Sequence, residues 1–340
     1  YAQPSRSNPS FDRVVQTNGH HAPGRGGLFA SAAWFRVVER HAVPRGSRCG
    51  YIVTEAGVMP VLRTGRHIDA LTTPYTCAYT PVAAAGEALG RLCRVGGVSR
   101  IDAVPEEWEG RDAFVAGLRA AGLVTLPFAH FGNWSEDVSG RDWDTYLAAR
   151  PGALRETIRR RLRQAERRPD ARFEILAAPA EMDRAEVIYE DVYTRSWKEP
   201  EPYPAFNVAL MRAMADESAL RLGVWSIGET PVAVQLWVVW KGSAIVLKLA
   251  HDEAFRTHSP GTVLTALMLR HLLEREQIGR IDFGRGDDAY KRGWASERRQ
   301  RIGFLVVNPW RPAGAAALLR HAAGRVRRSL RGSVPTQVSG

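Results

Sequence analysis

The chain has 340 residues, 45% hydrophobic and 24% charged, proportions of a folded globular protein with room for two domains. Its net charge of +11 is overwhelmingly arginine. That excess suits phosphate-bearing partners such as a nucleotide co-substrate, anionic lipid or nucleic acid, and an Arg-rich genome would produce it equally well. No apolar run approaches the ~20 residues of a membrane helix; Val232 to Trp240 is strand-sized and broken by Gln235, and no secretory signal is visible. Cys49, Cys77 and Cys93 lie far apart without a C-x-x-C pair, so they read as reduced thiols of a cytosolic protein, each a small buried apolar residue.

In chain order, residues 1–26 read as a loose leader rich in Ser, Asn, Pro, His and Gly. A helix follows, with Leu28, Trp34, Phe35 and Val38 on one face, then a hairpin, Cys49 to Glu55 and Val58 to Arg66, turned by Ala56-Gly57. An aromatic loop (Leu71 to Pro81) leads to a helix (Ala83 to Arg94), a strand (Ser99 to Ala103), a helix (Arg111 to Ala121) and a strand (Gly122 to Ala129). Asp142 to Arg168 reads as two helical pieces split at Pro151-Gly152. In the second piece Leu154, Ile158, Leu162 and Ala165 recur at helical spacing and most other positions are arginine, so 151–170 is expected to be a helix joining two domains, 27–150 and 171–312.

Beyond that bridge come a strand (Arg172 to Ala178), a helix (Ala180 to Trp197), a Pro-rich break and a helix (Ala205 to Glu217). Three strands follow, Leu220 to Ile227, Pro231 to Trp240 and Ser243 to Ala250, then a helix from Thr262 to Glu276. A short strand (Arg280 to Phe283), a helical segment (Asp288 to Ala295) and a strand (Arg301 to Val307) close the unit. The tail, 313–340, is basic and partly amphipathic; it suits an anionic membrane surface or a solvated helix packed on the body.

Chemistry concentrates in two turns. Arg256-Thr257-His258-Ser259-Pro260-Gly261-Thr262 lies between a strand and a helix. A helix start offers unpaired N–H groups and a positive dipole end, small residues let a pyrophosphate approach, and Arg256 adds charge-assisted contacts. Arg256, His258, Ser259, Gly261 and Thr262 are therefore the expected cofactor-binding residues, although Pro and Ser belong at any helix start. The second turn is Asp282-Phe283-Gly284-Arg285-Gly286-Asp287-Asp288, continuing through Tyr290-Lys291-Arg292-Gly293-Trp294. Asp282, at a strand end, can accept a proton from an amine, orient Lys291, or cap its own loop. His251 titrates near neutrality and is a candidate base. Lys248 within an apolar strand must pair or face a cavity; it is expected to line a cleft with Gln235, or to reach solvent from an edge. Trp197-Lys198 covers an acceptor site or merely ends a helix.

These features resemble the GNAT acyltransferases. The β-α-α-β-β-β-α-β-α-β order of 172–307 is the GNAT order, and the 256–262 turn is similar to its acyl-CoA signature, with Ser259 departing from the usual glycine. The resemblance gives Tyr290 the role of protonating the leaving thiolate, which suits a phenol that is neutral at pH 7. Leu247-Lys248-Leu249-Ala250, Ser259-Pro260-Gly261, the 282–291 segment, Gly132-Asn133-Trp134, Tyr75, Tyr79 and the arginine helix are similar to the FemAB-like and CelD-like (BioF2-like) branch. That branch implies an α/β (α+β) fold class: tandem GNAT-like folds, each a mixed central sheet flanked by helices, joined by the arginine helix.

It also implies an N-acyltransferase that takes acyl-CoA, or an acyl-carrier protein thioester, as co-substrate. The amine acceptor would belong to an envelope polysaccharide or a lipid, including sphingoid or ceramide-type amines. The alternatives are a FemAB-like transferase using aminoacyl-tRNA, or a non-catalytic GNAT-like scaffold or nucleic-acid-binding protein. Nucleic acid is disfavoured because the bridge helix lacks interleaved aromatics for stacking. The expected location is the cytoplasm, with peripheral contact at the inner membrane left open. The histidines show no metal-ligand spacing, so no metal is expected, and there is no Gly-x-Ser-x-Gly elbow or Walker loop.

Overall fold

A computed structural model describes Val14 and residues 26–331, with side chains described as far as Gly324. The expected leader therefore lies almost wholly outside the described residues, as do 332–340 of the tail. The first half begins with helix α1 (Ala32–His41), capped by Ser31 Oγ accepting from Trp34 N at 3.1 Å. Strands β1 (Ser47–Thr54), β2 (Gly57–Thr64) and β3 (His67–Ala70) then form a small antiparallel sheet. Thr54 pairs with Gly57 and Thr64 with His67, so two-residue loops make both turns. The sequence reading ran β2 through Arg66 and missed β3, because Gly65 at φ 59 turns the chain inside one apparently continuous run.

Helix α2 (Gly86–Cys93), strand β4 (Val98–Pro105), helix α3 (Arg111–Ala120) and strand β5 (Val124–Asp137) complete this half. Helices α4 (Trp143–Ala148) and α5 (Gly152–Glu166) divide at Pro151 as expected. The second half runs β6 (Ala171–Leu176), α6 (Met182–Thr194), α7 (Phe206–Asp216), β7 (Leu220–Ile227), β8 (Thr230–Trp240), β9 (Ser243–His251), α8 (Pro260–Arg275), β10 (Arg280–Arg285), α9 (Lys291–Trp294) and β11 (Glu297–Val307). Helix α10 (Pro312–Arg331) follows. The β8–β9 turn places Lys241 and Gly242 at φ 49 and 75, the left-handed pair that matches strand twist in a two-residue hairpin.

The class is mixed α/β, with helices flanking central sheets. Both halves contribute to the larger sheet, whose order is β4-β11-β5-β10-β9-β8-β7-β6. Every neighbouring pair is antiparallel except β9 and β10, which run parallel because α8 crosses over between them. Two apolar cores cover its faces. One gathers α1, α6 and α7 with residues such as Trp34, Phe206, Leu222 and Leu236. The other gathers α4, α5 and α8 around Trp225, Trp237 and Leu269. Beneath α5, Ile158 and Leu162 are buried, while Arg159, Arg160 and Arg163 face outward and Arg155 and Arg161 are half-buried. Cys49, Cys77 and Cys93 are buried.

Parallel pairing of β9 with β10 lasts only from Ser243/Arg280 to Ile245/Asp282. Beyond it the strands part, and the sheet opens where β9 ends.

Candidate active site

Cavities on the two faces of the sheet meet at this opening. The first, of about 830 Å³, lies on the α8 face and includes Arg256, Ser259, Gly261, Thr262 and His251 in its lining. The 3-10 turn Glu253–His258 ends at Ser259, whose φ of 53 and ψ of 50 put it in the left-handed region, and Pro260 starts the helix. That abrupt entry aims the start of a 16-residue helix at the cavity. Arg256 makes no side-chain ion pair among the described residues. A Cβ on Gly261 would stand 3.7 Å from His251 Nδ1, so turn and imidazole wall the same space. The sequence expectation of a phosphate-sized, electropositive turn thus coincides with a cleft.

His251 packs on Trp197, with ring centroids 4.4 Å apart, and its Nε2 lies 3.5 Å from Glu253 Oε1. Burial, with help from Arg256 and Lys198, holds its pKa below the usual imidazole value against the pull of Glu253 and Asp252. Its buried Nδ1 has no hydrogen-bond partner.

The second cavity, of about 440 Å³, lies on the α1–α7 face. Trp34, Tyr75 and Phe206 give it aromatic walls, and Lys198, Lys248, Arg285 and Lys291 give it charge. Trp197, Leu249 and Tyr290 line both cavities and therefore mark the passage between them. Tyr290 is 49% exposed. Partial desolvation beside the cleft walls, then the neighbouring Asp288 carboxylate, push the hydroxyl of this half-exposed ring up to about 12, so it is a neutral proton donor at pH 7.

A polar seam supports the opening. Asn133 on β5 donates to Asp282 Oδ1 at 2.7 Å and to the Gly284 carbonyl at 2.9 Å. Arg301 Nη2 donates to Asn133 Oδ1 at 2.8 Å. Asp287 accepts from Trp134 Nε1 at 3.1 Å and from both Arg298 nitrogens at 2.7 and 2.6 Å. A Cβ on Gly132 would displace the Asp287 carboxylate from these partners. Gly284, at φ 69, would drive a Cβ into the Val246 carbonyl. The Gly132-Asn133-Trp134 segment therefore cradles the strap 284–288. Deeper in the seam, Glu136 accepts from Arg150 at 2.5 Å, Arg141 at 3.0 Å and the Ser296 amide at 2.7 Å.

The structure brings Tyr290, His251, Arg256, Ser259, Gly261, Thr262 and Trp197 together at the first cavity, and Lys198, Lys248 and Lys291 at the second. Three expected residues lie elsewhere. Asp282 lines neither cavity: its carboxylate accepts from Asn133 and the Gly284 amide and so caps the strap. Gln235 is fully buried on the α8 side, donating to Thr265 Oγ1 at 2.6 Å and accepting from Trp237 Nε1 at 2.7 Å. It pairs in register with Leu249, one residue from Lys248, so the two point to opposite faces and share no cleft. His258 turns away to α5, with Nε2 3.3 Å from Arg168.

Lys248 pairs with Glu201 at 2.5 Å and sits 4.8 Å from the Tyr75 ring centroid. Burial raises the Glu201 pKa, but hydrogen bonds from Lys248 and Tyr193 outweigh it and hold the carboxylate below its usual range. Lys291 Nζ is bound to the Arg285 carbonyl at 2.6 Å and to Asp288 at 2.9 Å, which ties down the loop carrying Tyr290. Sequence reasoning assigned no role to Glu201, Arg285, Asp288 or Asn207. Arg285 and Asp288 stood inside the segment already singled out, whereas Glu201 and Asn207 gave no signal apart from their neighbourhood to a Pro-rich break.

Residues 152–292 match the family model of the acetyltransferase (GNAT) domain. No curated protein matches the chain in sequence. Among solved structures, the DUF2156 C-terminal domain assigned to a lysylphosphatidylglycerol synthetase of Agrobacterium fabrum is similar at 14% identity and TM-score 0.56, covering 88% of this chain and 92% of that one. FemX is similar at 12% identity and TM-score 0.56, covering 83% and 93%. L-PGS from Bacillus licheniformis is similar at 11% identity and TM-score 0.51, covering 90% and 98%. At such identities the likeness is one of fold.

Proposed function

Residues 152–292 belong to the acetyltransferase (GNAT) domain family, within a fold of the FemAB/GNAT-like kind, and on that premise we propose that the chain is an N-acyltransferase. The donor thioester enters by the 830 Å³ cavity and the amine acceptor by the 440 Å³ cavity. The observation that carries this reading is their meeting at Tyr290, Trp197 and Leu249. Pyrophosphate oxygens fit the start of α8, where Pro260 has no N–H to offer but the following amides, with Arg256, do. The acyl carbonyl then lies at the passage. The neutral amine attacks it, the new C–N bond forms as the C–S bond breaks, and Tyr290 protonates the departing thiolate. Backbone N–H groups at the strand opening stabilise the oxyanion. The surplus amine proton leaves towards Asp288, the carboxylate lining the acceptor side.

An envelope glycan or lipid is the acceptor class we favour, with acyl-CoA or an acyl-carrier protein as donor. Trp310 and Leu319, 88% and 72% exposed beside Arg311 and Arg320, support contact with an anionic membrane. No helix among the described residues is long and apolar enough to cross a membrane. Calorimetry with acetyl-CoA and longer acyl-CoA esters tests the donor side. Arg256→Ala should weaken binding by about tenfold or more, the loss of a charge-assisted contact. Absence of binding by the unaltered protein at every chain length would overturn the donor assignment. Strongly salt-dependent binding of aminoacyl-tRNA instead would favour the FemAB-like donor, for which the outward arginines of α5 are the natural contact.

A further inference from the structure

We propose that the acceptor cavity selects amines carrying an anionic group, which Arg285 and Lys198 bind while the amine reaches the passage at Tyr290. This rests on the assignment of the two cavities above and narrows the acceptor class.

Four cations line the cavity: Lys198, Lys248, Arg285 and Lys291. Two of them are spent internally, Lys248 on Glu201 and Lys291 on Asp288 and the Arg285 carbonyl. The other two make no salt bridge among the described residues, although Asp102 acts on Arg285, and Asp288 and Glu201 act on Lys198, from further away. Lys198 rests 5.3 Å from the centroid of the Trp197 ring and has no ion pair among the described residues. Arg285 stacks 4.3 Å from the Phe131 centroid, and its guanidinium faces His130 Nε2 at 3.2 Å. The other ring nitrogen of His130 faces the Ala103 amide at 3.1 Å. A neutral imidazole has one acceptor nitrogen, so it cannot serve both N–H donors, and the buried backbone amide has no alternative solvent partner. Arg285 is therefore left with donors to spare.

Asn207, 2% exposed, also lines this cavity, with its side-chain amide set against the Tyr189 hydroxyl. The cations also act on one another: burial and then Lys248 depress the Lys198 pKa. A bound anion would relieve that repulsion. Asp288, the lining carboxylate, is already offset by Lys291, so the site retains a positive field.

The test uses the full chain and matched amine pairs: glucosamine against glucosamine 6-phosphate, and hexylamine against 6-aminohexanoate. Thiol release from an acyl-CoA is followed. The anionic member of at least one pair should show a kcat/KM about tenfold or more above its neutral partner. The pair that responds identifies phosphate or carboxylate as the group held. Arg285→Gln and Lys198→Gln should collapse that ratio towards one, while calorimetric affinity for CoA persists and melting temperatures confirm folding. Equal or better use of the neutral amines, or an equal loss for both members in the variants, would overturn the proposal. If no thioester binds, the donor assignment fails separately. Calorimetric titration with glucosamine and glucosamine 6-phosphate then decides the anion site, since indifference to the phosphate and to Arg285→Gln would sink it.

Discussion

The seam along β5, β10 and β11 and the opening between β9 and β10 use the same residue types to opposite ends. In the seam every principal polar group closes on another protein group: Glu136 on Arg150 and Ser296, Asn133 on Asp282 and Arg301, Asp287 on Trp134 and Arg298. At the opening, Arg256 and Lys198 line cavities without a salt bridge, Arg285 lies against Phe131 and His130, and His251 Nδ1 has no hydrogen-bond partner. Buried polar groups are expected to be paired; atoms without a hydrogen-bond partner also occur away from the cavities, at Arg63 Nε, Ser99 Oγ and Arg301 Nη1, so a missing partner marks a ligand site where a cavity lies beside it. The comparison also explains why Asp282 and Gln235, attractive as catalysts in the sequence, act as supports.

The comparison breaks most sharply at Tyr290. Tyr290→Phe should lower kcat by about two to four orders of magnitude, the range for a positioned general acid, with CoA affinity and melting temperature retained. Full activity in thiol-release assays would remove the phenol from the mechanism. Glu136→Ala should do the reverse. It strands Arg150, whose side chain is 3% exposed, and breaking a buried pair typically costs about 3–5 kcal/mol. Urea unfolding should show that loss, and an unchanged midpoint would mean that the seam does not hold the halves together.

The smallest effect is a pH effect. Glu297, on β11, accepts from Arg299 at 2.8 Å, Arg280 at 2.9 Å and Ser135 at 3.1 Å. The Arg299 hydrogen bond leads in holding its carboxyl down at about 2, against an ordinary 4.5. A depressed folded-state value means the stabilisation is full above pH 4.5 and is lost as the pH falls towards 2. The stability difference between the unaltered protein and Glu297→Gln should therefore shrink across that window. At 42% side-chain exposure the effect should be well below that of Glu136→Ala. A difference independent of pH would assign the residue a packing role only.

Much of this was legible in the sequence. Apolar periodicity located the elements from β6 to β11, Pro151 split α4 from α5, and Gly228, Lys241-Gly242 and Pro260 marked turns and a helix start by their backbone preferences. The 256–262 and 282–294 segments carried the site because local chain geometry builds most of it. Strand ends hid from the pattern where polar residues pair inside the seam: β5 continues through Asn133, Ser135 and Glu136, all at most 2% exposed, to Asp137, and β11 starts at Glu297.

Alternation reports which residues are apolar, and it carries no record of which distant chain will satisfy a buried carboxylate. Only the tertiary structure could place β11 between β4 and β5, turn Gln235 and Lys248 to opposite faces, bring Tyr75 and Asn207 to one cavity, and set Glu201 on its Lys248. Those outcomes depend on pairing and packing between residues far apart in the chain, where the physical chemistry is no longer local.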